Sequence, residues 1–294
     1  MSGAAPSDLL AAPLGLPATV VADLYRAACL AELDALKPGN VHGFAPGHRM
    51  GVADFVASAD VSASSLAEAG ARVGRRVRGG VEATFAAVGQ NTNLGILLLC
   101  APLARAAEED GPLTERLRAV LEGFDGTDSR DVFAAIRRAN PGGLGTAARH
   151  DVAAEGPVPP LLAAMAEAAP RDRIARAYTD GFRDLFEIGL PALAAARQRG
   201  LAPPWTTTAI HLAYLTGVPD SHIARKHGPE RAEAVRAQAL DRLARLDLAE
   251  APVEALLAYD QELKQAGLNP GTSADFTVAT LFLDALLAAR SETP

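Results

Sequence analysis

Residues 171–189 read RDRIARAYTDGFRDLFEIG. Tyr178, Phe182, Leu185 and Phe186 fall at i, i+4, i+7 and i+8 within it, one apolar stripe at the period of an amphipathic α-helix. Core packing accounts for that stripe without a ligand. The same period recurs on both sides, while β-branched and aromatic residues are sparse and alternating strand patterns are hard to find. Helices are predicted near 18–36, 52–70, 72–88, 93–108, 113–123, 129–139, 159–168, 171–188, 190–199, 204–216, 229–246, 251–266 and 273–290. The expected class is therefore all-α, a single multi-helix globular domain whose polar Gly/Asn-bearing interhelical loops form the site. Residues 1–17 are expected to be a flexible arm and 18–294 the helical catalytic domain. The Pro-rich stretch Glu155–Pro160 is too short to impose a boundary.

Composition narrows the function. The 294 residues carry a net charge of −7, with about half the residues apolar and 21% charged. A chain with that balance has no overall pull on nucleic acid or an anionic membrane, so an anionic ligand needs a local cluster of donors. The N-terminal stretch lacks a basic run and a cleavage site, and no apolar run reaches the roughly 20 residues of a membrane span. A cytoplasmic enzyme is the expectation. Cys29 and Cys100 sit in apolar helical patterns without CxxC spacing, as buried inert thiols do.

The uncommon residues mark the loops. The asparagines are Asn40, Asn91, Asn93, Asn140 and Asn269, each in a short Gly-bearing segment between predicted helices. Of three lysines, Lys37 and Lys226 lie in such segments, although the chain otherwise uses Arg for surface charge. Turn chemistry explains some asparagines and glycines but not those lysines.

Five segments follow. In ELDALKPGNVH, residues 32–42, Glu32 sits among Ala28, Ala31 and Ala35 before a Lys-Pro-Gly stop. A carboxylate there is costly unless it has a job, whereas Lys37 could simply complement a helix C-terminus. In QNTNLG, residues 90–95, Thr92 or Asn93 can cap the following helix, leaving N–H groups for an anion. NPGGLG, residues 140–145, with Asp151 downstream, lets backbone approach a ligand but is neither a P-loop nor a dinucleotide fingerprint. PDSHIARKHG, residues 219–228, is the densest polar cluster; Asp220 or Ser221 could cap a short helix carrying His222, Arg225 and Lys226, which suit a polyphosphate. NPGTSAD, residues 269–275, places Thr272 and Asp275 at capping-box spacing, with Asp275 equally suited to Mg²⁺ or to catalysis. Arg72, Arg75, Arg76 and Arg78 read as a solvated face and His211 as a satisfied core histidine. His42, His48 and His150 lack zinc-site spacing, and no GxSxG is present.

In this order, E-x4-KPGNVH, NTNLG, NPGGLG, YxxxFxxxFE, PDSHIARKHG and NPGTSAD resemble the triphosphoribosyl-dephospho-CoA synthase family from about Leu24 to Leu287. The resemblance implies an all-α pentosyltransferase in which the 2′-hydroxyl of dephospho-CoA attacks the ribose C1 of ATP and adenine leaves. The citrate-lyase type tends to have NTHKG, DTNxxxRGG and PGGSAD where this chain has residues 91–95, 220–228 and 270–275. The chain looks more like a narrower branch associated with methanogens and methylotrophs. A different acceptor in one-carbon cofactor synthesis is the alternative within the family. A nucleotide phosphohydrolase, suggested by Glu108-Glu109-Asp110, and a non-catalytic nucleotide-binding module are the alternatives outside it.

With this chemistry, Lys37, Arg225, Lys226 and His222 are the expected phosphate contacts. Asn40, Asn91, Asn93 and Asn269 would orient sugar hydroxyls or phosphate oxygens, with Thr272 and Ser273 beside them. Glu32 and Asp275 are the expected general base and Mg²⁺ ligands, the two roles being interchangeable at this stage. ATP and dephospho-CoA, or a related small acceptor, are the expected partners. The oligomeric state is left open, a homodimer among the options.

Overall fold

The computed structural model describes residues 15–44, 51–141 and 156–289. No β-strand occurs among them. The α-helices are α1 (Ala18–Leu33), α2 (Val52–Leu66), α3 (Val73–Val88), α4 (Leu94–Ala106), α5 (Leu113–Glu122), α6 (Gly126–Ala139) and α7 (Leu161–Ala168). They continue as α8 (Arg173–Asp180), α9 (Leu190–Gln198), α10 (Pro203–Gly217), α11 (Ser221–His227), α12 (Pro229–Leu243), α13 (Val253–Gln265) and α14 (Gly271–Ala289). A π-helical turn, Leu185–Gly189, precedes α9, and a 3₁₀ turn, Leu248–Glu250, precedes α13.

Two helices that are apolar on nearly every side form the centre. In α4 every residue except Gly95 and Arg105 is buried. Helix α14 packs on α1, α4 and α10. By length and composition it could cross a membrane, but 67% of its apolar window is buried inside the fold, which makes it a core helix. Thr277 and Thr280 fit there because each hydroxyl donates to the carbonyl four residues back. The main core is built around this pair, and a smaller cluster joins Leu215, Ile223, Val235 and Tyr259 under α10–α13. Leu16 already belongs to the main core, and its N–H donates to the Ala107 carbonyl.

The predicted helix over 171–188 is broken. Gly181 ends α8 at φ 72°, and Phe182 follows at φ 62°. A left-handed residue with a side chain costs about 1–2 kcal/mol, and full burial of a phenylalanine returns about 1.5–3 kcal/mol. Phe182 is fully buried, with its ring centroid 5.6 Å from that of Tyr178. The stripe therefore reaches the core as expected, through a kink rather than a continuous helix. The π turn ends at Gly189, where a Cβ would lie 2.2 Å from the Thr280 hydroxyl and 2.3 Å from that of Tyr214. Only glycine allows that approach.

The arginine run also departs from its expectation. Arg75 and Arg78 pair with Glu68 and Glu82 at the surface, but Arg76 is completely buried. It shares the inward face of α3 with Val73, Val77 and Gly80, so helical spacing, not residue type, decides its place. The acidic cluster suggested as a phosphohydrolase feature is consumed here: Glu108 pairs with Arg76 and Arg105, and Glu109 with Arg105.

Candidate active site

The turn after α1 is stitched to the start of α14. Lys37 is fully buried; its ammonium donates to the Glu32 carboxylate and, at 2.6 Å, to the Val41 carbonyl. Burial pushes the Glu32 carboxyl up and the Lys37 ammonium down, and their pairing opposes both shifts. Gly39, at φ 81°, lies against Pro270 and Leu268 with no room for a Cβ, and its N–H donates to Asp260 at 2.8 Å. The Asn40 amide donates to the Asn269 side-chain oxygen at 2.8 Å.

Capping at α4 differs from the expectation in which residue performs it. Asn93 occupies the N-cap position without a side-chain cap bond, and the Leu94 N–H donates instead to Asn91 at 3.1 Å. Asn93 is buried and turns inward, donating to Thr84 at 3.0 Å and Ser62 at 3.2 Å. Thr92 donates to Ser58 at 2.6 Å.

Two aspartates tie the remaining helix starts together. One oxygen of Asp172 accepts from the N–H groups of Ile174 (2.9 Å) and Ala175 (3.1 Å), capping α8. The other accepts from the Arg225 guanidinium at 2.6 Å. Asp220 repeats the pattern. One oxygen caps α11 through His222 (2.9 Å) and Ile223 (3.1 Å); the other accepts from the Ser273 N–H (2.8 Å) and hydroxyl (2.9 Å). Thr272 accepts from the His222 N–H at 3.1 Å instead of capping α14. Each carboxylate thus fixes one helix start and holds the next element.

These elements enclose a cavity of about 440 Å³, within the size range of small-molecule sites. Glu32, Asn40, Asn91, His222, Arg225, Lys226, Asn269 and Asp275 line it. Lys37, Asn93, Thr272 and Ser273 stand behind that wall, each engaged as described above. Of NPGGLG, Asn140 and Pro141 reach the cavity; residues 142–145 and Asp151, like His48 and His150, lie outside the described residues. Sequence reasoning missed Asp172, whose signal is an N-cap aspartate before an apolar stripe, and Arg171 beside it on the cavity. It also missed the apolar wall of α6 and α7, which carries no local signature.

Asp275 is the site's most unusual group. Its carboxylate lies so close to the first turn of α4 that a Cβ on Gly95 would sit 2.0 Å from it. Among the described residues no hydrogen bond or ion pair holds it. Burial raises its pKa well above the carboxylate range, and the charges of Asp220 and Glu32 add to that. A half-buried carboxyl that no hydrogen bond holds is costly in a folded chain, and such groups concentrate where chemistry is done. His211 is buried, as expected of a core histidine; burial lowers its pKa to about 3, and a hydrogen bond to the Pro38 backbone only partly opposes that shift. No group of three or more His, Cys, Asp or Glu side chains is arranged around a metal among the described residues.

No protein of established function and no solved structure matches the chain. A family model described as ATP:dephospho-CoA triphosphoribosyl transferase, CitG, matches residues 18–293. The chain therefore belongs to the CitG family and is an enzyme that transfers the triphosphoribosyl group of ATP to dephospho-CoA, which sets aside the phosphohydrolase and binding-module alternatives.

Proposed function

We propose that this reaction takes place in the cavity between α1, α4, α8, α11 and α14, with Asp275 and Glu32 at the reacting carbon. The observation that carries the proposal is the half-buried carboxylate of Asp275, which no hydrogen bond holds among the described residues, placed among Glu32, Arg225 and the first turn of α4. The C1–N bond of ATP breaks, its electron pair leaves with adenine, and adenine takes up a proton. An acceptor hydroxyl forms the new C1–O bond and gives up its proton. Positive charge develops at the sugar carbon, as in glycoside chemistry, so carboxylates beside it lower the barrier.

Arg225 and Lys226 contact the triphosphate. Asp172 holds the guanidinium in place, while Lys226 is exposed at the cavity. Asn40, Asn91 and Asn269 present amides to sugar hydroxyls, and His222 borders them. Lys37 acts one step back, keeping the Glu32 carboxylate oriented.

A magnesium ion fits this donor set. Mg²⁺ is held by one or two carboxylates plus substrate phosphates and water, so it needs no cluster of three protein ligands. One of Asp275 and Glu32 would hold it, leaving the other at the reacting carbon, and it would neutralise triphosphate charge.

The test is mass-resolved product analysis of the enzyme with ATP, Mg²⁺ and dephospho-CoA, repeated with Lys226→Ala and Asp275→Ala. Free adenine and a conjugate heavier by one triphosphoribosyl unit are expected from the parent, with most turnover lost in both variants and helicity retained. Parent-like turnover in both variants overturns the site assignment.

A further inference from the structure

The cavity has two kinds of wall. Charged and amide side chains come from the end of α1 and from α11 and the start of α14. The wall formed by α6 and α7 is largely apolar, with Phe133, Ile136, Leu161, Ala164 and Met165 facing the same space. These helices could have closed over each other with larger side chains. Instead Ala164 leaves room on this wall, and an unfilled apolar surface forfeits packing. The apolar surface also extends to the carboxylates. At Gly95 a Cβ would meet the Asp275 carboxylate at 2.0 Å and Ile174 Cδ1 at 2.9 Å, so Ile174 stands next to Asp275.

We infer that the α6–α7 wall is the subsite of the leaving nucleobase, a planar purine held by apolar contact. The inference rests on placing the reacting carbon at Asp275. Of the groups around that carbon, the sugar hydroxyls and the triphosphate are polar and match the amides and cations. The base is the one large planar group bonded directly to it, and it must lie where the carboxylates give way to apolar surface. The aliphatic arm of a CoA-like acceptor is separated from its attacking hydroxyl by a diphosphate, and the acceptor's own adenine enters with that hydroxyl from the face of C1 opposite the leaving base in a direct displacement, so neither starts at the same point. Ile136 and Ala164 give the wall its accessible apolar surface, backed by Phe133 and the Met165 thioether, a polarisable group suited to a π-face.

Filling the wall with Ala164→Phe, and separately enlarging it with Ile136→Ala, tests the assignment by equilibrium binding of adenine, tripolyphosphate and pantetheine, and by steady-state KM, which is expected to rise for ATP and not for dephospho-CoA; the reverse gives the wall to the acceptor's adenine and overturns the inference. Each variant is expected to weaken adenine by about tenfold or more, a typical value for lost apolar complementarity. Tripolyphosphate and pantetheine binding are expected to stay within about twofold of the parent. Ala164→Phe adds a side chain and Ile136→Ala removes one, so a folding failure in one leaves the other to decide. Parent-like adenine binding in a folded variant, or loss of pantetheine in its place, overturns the inference. Arg225→Ala separates this outcome from failure of the site itself. If it leaves tripolyphosphate binding unchanged, the triphosphate is misplaced and the site reading falls, whatever adenine does.

Discussion

Two buried ion pairs lie in different parts of the molecule and have opposite surroundings. Arg76 and Glu108 form a closed unit between α2, α3 and α4. The guanidinium also donates to the carbonyls of Ala71 (2.9 Å) and Leu66 (2.7 Å), and Glu108 also accepts from Arg105 (3.1 Å) and the Gly70 N–H (3.3 Å). Lys37 and Glu32 form an open unit, because Glu32 borders the cavity and faces Asp275. A closed pair can only serve the fold. An open one holds a charge where a ligand will meet it.

The largest expected effect lies at the open side. Asp275→Asn removes a carboxyl that no partner holds, so it is expected to lower kcat by about 10²–10⁴, the usual contribution of a positioned acid–base group. The melting temperature is expected to stay level or rise, because a costly buried ionisable group is gone. Steady-state kinetics with thermal melting checks both. Retained kcat, or a large loss of stability, would place Asp275 with the structural carboxylates.

At the closed pair the prediction reverses. Arg76→Met takes the buried cation from Glu108 and the donors from two carbonyls; because Glu108 is half-buried and keeps Arg105, the cost is expected to fall below that of breaking a fully buried pair, at about 2–3 kcal/mol. Urea unfolding is expected to show that loss, while kcat per folded molecule at low temperature stays within about twofold of the parent. A kcat that falls with stability unchanged would mean the Arg76 corner communicates with the cavity.

The contrast also shows what could be read from the chain. Helix positions follow from apolar period, and the all-α architecture is legible along the chain except at α11, which shows only as a cap signal at Asp220-Ser221 because seven residues are too few to carry a period. The kink at Gly181-Phe182 is not, because the stripe over residues 178–186 has the same spacing whether or not the backbone breaks. Residue type places Arg76 at the surface, whereas its spacing of three from Val73 and four from Gly80 turns it inward. Arg225 and Asp275 are legible because they lie in short segments where polar side chains concentrate between apolar helices. Whether Lys37 reaches the cavity or stands behind it depends on a turn held by Asp260 and Asn269, residues more than 200 positions away. No local pattern carries that information.

A smaller effect separates capping from ligand positioning at Asp172. Asparagine caps a helix about as well as aspartate, so Asp172→Asn is expected to leave stability nearly unchanged. It removes the charged partner of Arg225, and KM for ATP is expected to rise about tenfold, equivalent to about 1.4 kcal/mol. Asp172→Ala loses the cap as well and is expected to melt lower. If Asp172→Asn lowers stability while KM stays fixed, the aspartate serves α8 alone.

The gentlest probe is pH. His211 lies behind the open pair, and burial, with the charges of Lys37 and His42 adding, lowers its pKa from 6.5 to about 3. The folded state therefore keeps the ring neutral while the unfolded chain protonates it below about pH 6.5. Between those values the unfolded state binds more protons, so stability falls as pH falls, by up to about 1.4 kcal/mol per unit. Removing the imidazole with His211→Leu is expected to remove that contribution. Relative to the parent, the variant should gain stability progressively as pH drops from 6.5 towards 4, read as a widening gap between their urea midpoints. A constant gap would mean that the ring is protonated in the fold, and the Lys37–Glu32 pair would then have a third charge beside it.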